Sequence, residues 1–182
     1  MTNVIEINNL TKKYNQSKNI NVLKNLSFKF KKGKIYSIIG PSGSGKSTLL
    51  NLISLIDEPT SGKIKINEKN IDFKDKKTND LIRAKEIGII YQDKNLLTDF
   101  TALENVYLAR LNAISNKNNA VIEAKKIISK VGLSSRMNHF PSQLSGGESQ
   151  RIAICRALIN SPNIILADEP TGNLDYKNAK EI

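Results

Sequence analysis

Gly40-Pro41-Ser42-Gly43-Ser44-Gly45-Lys46-Ser47 meets the pattern G-x-x-x-x-G-K-[ST] at every position. The flanks decide how it is read. Lys34-Ile35-Tyr36-Ser37-Ile38-Ile39 is a short apolar run that predicts a buried strand, and Thr48 through Ile56 carries the apolar face of a helix. Strand, glycine-rich turn and helix N-terminus together make an anion cradle. Gly43 and Gly45 let the chain turn so that successive N–H groups point inward, and the helix dipole adds positive potential at the same place. Lys46 is expected to reach the β- and γ-phosphates of a nucleotide, and the Ser47 hydroxyl to ligate Mg²⁺. A glycine-rich linker containing Lys-Ser by accident is the alternative, and the flanking strand and helix argue against it.

The 182 residues are enough for one domain with a real core, and 39% apolar with 25% charged residues describes an ordinary globular chain. No apolar run approaches the roughly 20 residues of a membrane span. Met1-Thr2-Asn3-Val4-Ile5-Glu6 has no basic region leading into an apolar stretch, which points to the cytoplasm. Cys155, the one cysteine, sits in an apolar helical pattern and reads as core. The net charge of +11 invites a nucleic-acid partner or an anionic membrane surface. Lysine is scattered, however, and its densest cluster, Lys29-Phe30-Lys31-Lys32-Gly33-Lys34, ends a strand. Most of the charge therefore reads as solvated surface, with no nucleic-acid site expected.

Val4-Ile5-Glu6-Ile7 and the alternation of Leu26, Phe28 and Phe30 with polar residues predict strands. Ile64-Lys65-Ile66 and Ile71-Asp72-Phe73, flanking Asn67-Glu68-Lys69-Asn70, predict a hairpin, completing a largely antiparallel set. Tyr14 falls in a polar stretch, where a loop tyrosine alone proves nothing. Ile87 to Tyr91 predicts another buried strand, ending in Gln92-Asp93. Helices follow. Thr101-Ala102-Leu103-Glu104 is a capping box, and the helix it opens is expected to reach about Leu111. Ala124, Ile127, Ile128 and Val131 keep helical spacing up to a stop at Gly132. A helix is expected from Leu144-Ser145-Gly146-Gly147-Glu148 to Ile159.

Asn163-Ile164-Ile165-Leu166-Ala167-Asp168-Glu169 predicts a last strand, apolar until two adjacent acids. Ligands of α/β sheets gather at the carboxyl ends of parallel strands. There Asp168 suits a hold on Mg²⁺ through its water shell, and Glu169 suits orientation and deprotonation of an attacking water. Two acids ending a strand in solvent would look the same in isolation. Ser145 to Glu148 fits a plain S-x-x-E capping box, a sufficient role by itself. Two consecutive glycines at a helix start nevertheless cost helix stability, and they make sense if the N–H groups must approach an anion closely.

With these motifs in this order, the chain resembles the ATP-binding subunit of an ABC transporter. Tyr14 matches the aromatic that stacks on adenine. Gly40 to Ser47, with Thr48 following, match the phosphate loop, and Gln92 matches the glutamine that senses Mg²⁺ and water. Leu144-Ser145-Gly146-Gly147-Glu148 matches the family signature, and Ile164 to Glu169 the Mg²⁺ strand with its catalytic glutamate. Pro170-Thr171-Gly172-Asn173-Leu174-Asp175 resembles the D-loop of the branch that exports lipoproteins, macrolides and antimicrobial peptides.

The resemblance implies a P-loop NTPase of α/β class: a parallel-sheet core, an antiparallel β subdomain and an inserted helical subdomain at about 93–160. It implies ATP and Mg²⁺ as cofactors and a head-to-tail pair of subunits. ATP on one phosphate loop is then capped by Ser145 and Gly147 of the other subunit, within the signature that also contains Gly146 and Glu148, and Asp175 communicates across the interface. It implies an integral membrane permease as partner, docking near Asp93 to Phe100, and a peripheral place on the cytoplasmic face of the membrane. Leu96, Leu97 and Phe100 are equally compatible with local core. The family's switch histidine, on a strand beyond the D-loop, has no counterpart here, since the only histidine is His139. The chain is therefore expected to be a C-terminally incomplete domain over residues 1–182. A soluble ABC ATPase acting on ribosomes or nucleic acid is the alternative, but such proteins carry paired domains or a long coiled coil.

Overall fold

A computed structural model describes residues 2–15, 19–172 and 174–181. The chain divides into two compact units, Met1–Asp80 and Leu81–Ile182.

In the first unit β1 (Asn3–Asn15) and β2 (Asn19–Lys31) pair antiparallel, and β3 (Ser61–Ile66) pairs with the other edge of β1. A hairpin adds β4 (Lys69–Asn70), giving the order β2-β1-β3-β4. Period-two patterning puts Ile5 and Ile7 of β1 and Ile64 and Ile66 of β3 into the core, with Leu49, Leu52 and Ile53 of α1 (Lys46–Ile53) also buried. The antiparallel set is as expected, but two details differ. The hairpin turn is only Asn67-Glu68, both at positive φ (47° and 66°), the geometry of a two-residue hairpin turn, so Ile71 to Phe73 lie beyond the strand. Tyr14 is not in a loop, since β1 runs long enough to pair it with Ile20.

The run Lys34 to Ile39, expected as a buried strand, belongs to neither sheet, and Ile35 and Ile39 are 98% and 93% exposed. A strand exists through its ladder of hydrogen bonds, and among the described residues none pairs with this run. Apolar composition records a preference for burial without supplying a partner.

The second unit opens with α2 (Lys76–Glu86), which begins in the first. It carries charge on most positions and was not expected from the apolar pattern. Asp75 starts it by accepting from Thr78 N–H at 3.0 Å. β5 (Ile87–Ile90) and β6 (Ile164–Ala167) pair in parallel, Ile87 opposite Ile164 and Ile90 opposite Ala167. They form the parallel element of this α/β fold. β6 stops before the acids, and Ile165 is half exposed rather than buried. Between these strands lie α3 (Ala102–Ile114), α4 (Lys117–Lys130) and α5 (Gly146–Leu158). They share a core of Val106, Ala124, Ile128, Ile152 and Cys155, each at most 1% exposed. The Thr101/Glu104 capping box is present, and Gly132 takes φ +75° at the end of α4. A short α6 (Tyr176–Glu181), unforeseen in the sequence, follows Asp175.

Candidate functional site

In the phosphate loop Gly43 and Gly45 adopt φ +78° and +93°, the left-handed turn that aims consecutive N–H groups inward. Gly45 is needed twice over. A Cβ there would lie 2.9 Å from Val22 Cγ1 and 3.2 Å from the Val22 carbonyl, so β2 seats the loop directly. Ser44 N–H donates to Pro41 O at 3.2 Å, closing the turn over Ser42 and Gly43. Gly45 is the N-cap of α1 and, having no side chain, makes no cap hydrogen bond to the N–H groups of the first turn. Lys46 lies along the loop, its Nζ donating to Gly40 O and Pro41 O at 2.9 Å each. Ser47 is exposed and Thr48 half-buried in the same turn. Gly40 to Thr48 is the stretch that the sequence pattern assigns to an anion cradle.

Tyr14 is half-buried in the same unit. Its hydroxyl donates to Asp57 Oδ2 at 2.8 Å, and the Thr48 hydroxyl also engages it. Burial, then the Asp57 carboxylate, push the Tyr14 phenol above its ordinary pKa.

In the second unit the parallel register carries Gln92 and the acids to the same end of β5 and β6, where Asp168 N–H donates to Ile90 O at 2.9 Å. Glu169 sits at φ +43°, a left-handed conformation that costs a non-glycine residue about 1–2 kcal/mol. Its carbonyl accepts from Gly172 N–H at 2.9 Å. A Cβ on Gly172 would meet Gln92 Nε2 and Glu169 Oε2, each at 3.2 Å. The glutamine and the glutamate, 77 positions apart in the chain, thus converge on the bare Cα of one glycine.

The signature opens α5. Ser145 Oγ accepts from Glu148 N–H at 3.2 Å, while Glu148 Oε2 accepts from Ser145 N–H at 2.8 Å, a reciprocal capping box. Ser145 and Gly146 are exposed and Gly147 is buried. Further along the helix, Gln150, 1% exposed, donates through Nε2 to Pro170 O at 2.7 Å and so ties α5 to the turn after the acids. Asp175 stands immediately before α6. Asn173 of the same stretch lies outside the described residues.

Two positioning residues escaped the sequence reading. Asn105, 2% exposed, accepts from Leu97 N–H at 2.7 Å and donates to Leu97 O, Phe100 O and Thr101 O, pinning the segment after Gln92. Arg156 grips Lys94 O at 2.7 Å and Asn95 O at 2.5 Å. An asparagine inside a helical apolar pattern was the available signal, since a buried polar side chain demands partners. Leu96 packs against the helical core, whereas Leu97 and Phe100 are 49% and 38% exposed.

The first unit carries a glycine-turned loop at a helix N-terminus, and the second a Gln/Glu pair at the end of parallel strands. Residues 23–172 match the family model described as ABC transporter, and the chain belongs to that family. It is 48% identical over 180 residues to the lipoprotein-releasing system ATP-binding protein LolD of Rickettsia bellii, covering 98% of this chain and 79% of that one. The protein of the same name from Saccharophagus degradans is 44% identical over all of this chain and 80% of its own. Among solved structures, the ATP-binding cassette MJ0796, dimeric in a post-hydrolysis state with ADP and Pi, superposes with TM-score 0.90 at 40% identity. It matches 98% of this chain and 79% of that one. The protein is an ATPase subunit of ABC type.

Proposed function

We propose that this chain powers lipoprotein export by binding and hydrolysing ATP in a head-to-tail pair attached to a membrane permease. The observation that carries the reading is the convergence of Gln92 and Glu169 over Gly172 at the end of β5 and β6. A general base and a water-positioning amide beside each other are what hydrolysis of a phosphoanhydride needs.

In this reading the loop N–H groups and Lys46 hold the triphosphate, and Tyr14 takes the adenine. Glu169 accepts the proton of the attacking water while Gln92 holds that water in line. Ser47 through its hydroxyl, Asp168 through its carboxylate and Gln92 through its carbonyl oxygen are the residues that would hold Mg²⁺. Few protein oxygens, with the rest supplied by phosphate and water, is the Mg²⁺ pattern. Held there, Mg²⁺ would supply positive charge against the phosphate oxygens. Ser145 and Gly147, with Gly146 and Glu148 shaping the turn, close on the ATP of a second copy, and Asp175 lies in that contact. The exposed Leu97 and Phe100 receive the permease, within the helical subdomain assigned to about 93–160. The subunit works at the cytoplasmic face of the membrane, and no helix among the described residues is long and apolar enough to cross one. Lipoprotein as cargo rests on the names of the LolD relatives.

The test is Glu169→Gln in the protein with its permease. ATP affinity should hold, hydrolysis should fall by about 10²-fold or more, and an ATP-trapped dimer should accumulate on gel filtration. Unchanged turnover would remove Glu169 from the base role. Lys46→Ala should abolish ATP binding outright.

A further inference from the structure

Three side chains around Tyr14 do more than fill space. Lys12 and Tyr14, two apart on β1, share a face of the strand. Lys12 is almost wholly enclosed, its side chain 10% exposed, an unusual place for an ammonium. Its Nζ donates to Asp57 Oδ1 at 2.6 Å and to Glu58 O at 2.8 Å. That position sets the charge 4.7 Å from the centroid of the Tyr14 ring, within cation–π range. Asp57 spends its other oxygen on the Tyr14 hydroxyl at 2.8 Å. Asp57 itself is fixed by the turn that ends α1, where both Ile56 N–H and its own N–H donate to Asn51 O.

We infer that Asp57 and Lys12 are positioning residues for base recognition: they lock the Tyr14 ring and occupy one of its faces, leaving the other for adenine. This rests on the reading of Tyr14 as the adenine shelf. The lock acts at four points: the strand pairing opposite Ile20, the hydroxyl on Asp57, the Thr48 hydroxyl on that same group, and the ammonium against the ring. A ring already fixed loses little rotamer freedom when a base stacks on it. Ordering one such side chain on binding is worth roughly a threefold to tenfold change in affinity. Because Asp57 is held by the helix that opens at Lys46, the shelf is registered to the phosphate loop through α1. The distance between base and triphosphate is therefore set by the fold before any nucleotide arrives.

The experiment compares affinities of the protein for Mg-ATP and for Mg-tripolyphosphate, which has no base, by titration calorimetry. Asp57→Ala, Lys12→Met and Tyr14→Phe should each weaken ATP binding about threefold to tenfold and leave tripolyphosphate binding unchanged. Asp57→Asn keeps an acceptor for the tyrosine hydroxyl but gives up the charge that holds Lys12, so it should recover only part of the loss. In a Tyr14→Ala background, Asp57→Ala should cost nothing further. Equal weakening of both ligands by Asp57→Ala would mean that Asp57 merely supports α1 and would overturn the inference. So would additivity with Tyr14→Ala. If Tyr14→Ala itself leaves the ratio of the two affinities untouched, no base stacks there, and the shelf reading falls together with its supports.

Discussion

Arg136 Nε donates to Glu148 Oε1 at 2.8 Å, so the acid of the signature is committed to its own fold. The Arg136 hydrogen bond, followed by the one from Ser145 N–H, outweighs desolvation and holds the Glu148 carboxyl down to about 2. A depressed carboxyl stabilises the folded state above its unfolded pKa of about 4.5 and loses that contribution as pH falls toward 2. Arg136 is 43% exposed, so screening leaves about 1 kcal/mol. Thermal melts recorded between pH 5 and 2 should show a steeper loss for the parent than for Glu148→Gln. Identical slopes would put the ion pair out of the stability account.

Ser145→Arg should preserve ATP affinity in the dilute subunit and abolish hydrolysis by the pair, because the new side chain fills the space a second copy's γ-phosphate must enter. Loss of the cap costs about 0.5–2 kcal/mol by itself, so Ser145→Asp, which can still cap, serves as the control for stability. Weak binding by Ser145→Arg at high dilution would contradict a role in trans.

Gly88→Ala should destabilise the second unit by about 1–3 kcal/mol in a denaturant melt. Its φ is unremarkable; what counts is distance. A Cβ would stand 2.5 Å from Ala157 O and 3.0 Å from Pro162 Cγ, so α5 rests directly on β5. A neutral result would mean that helix and strand separate freely there.

Cys155 should resist iodoacetamide at neutral pH until the helical core opens. It is 1% exposed, and burial pushes its thiol up to about 12. Labelling that outruns unfolding, followed by circular dichroism in urea, would disprove a sealed core.

Gly45→Ala should eliminate ATP binding while leaving β1–β3 folded, since the new Cβ must displace Val22 or unturn the loop. Far-ultraviolet circular dichroism with calorimetric titration separates the two effects.

The legible parts of this chain are those whose chemistry is local. Both capping boxes and the stop at Gly132 are written in residues a few positions apart, and each stands where its pattern placed it. Lys34 to Ile39 misled because a strand depends on neighbours distant in sequence, which no local window contains. α2 stayed hidden because its residues are polar nearly all round, leaving only the Asp75 cap as a sign. Tyr14 is singled out by motif order as the expected adenine shelf, while Asp57, which accepts from its hydroxyl, lies 43 positions away with nothing to join them on paper. Asn105 and Arg156 looked like ordinary helix polar residues, and only their backbone acceptors disclose what they hold.

The bond from Gln150 to Pro170 has a kinetic meaning. Lifting the turn after Glu169 strands a buried amide inside α5, so neither piece opens cheaply by itself. The two should behave as one cooperative unit. In native-state hydrogen exchange, amides on the buried side of α5 and those of Ile164 to Ala167 should merge onto a single isotherm as denaturant rises. Gln150→Leu should split that isotherm in two, turning one breathing motion of the protein into a pair of independent ones.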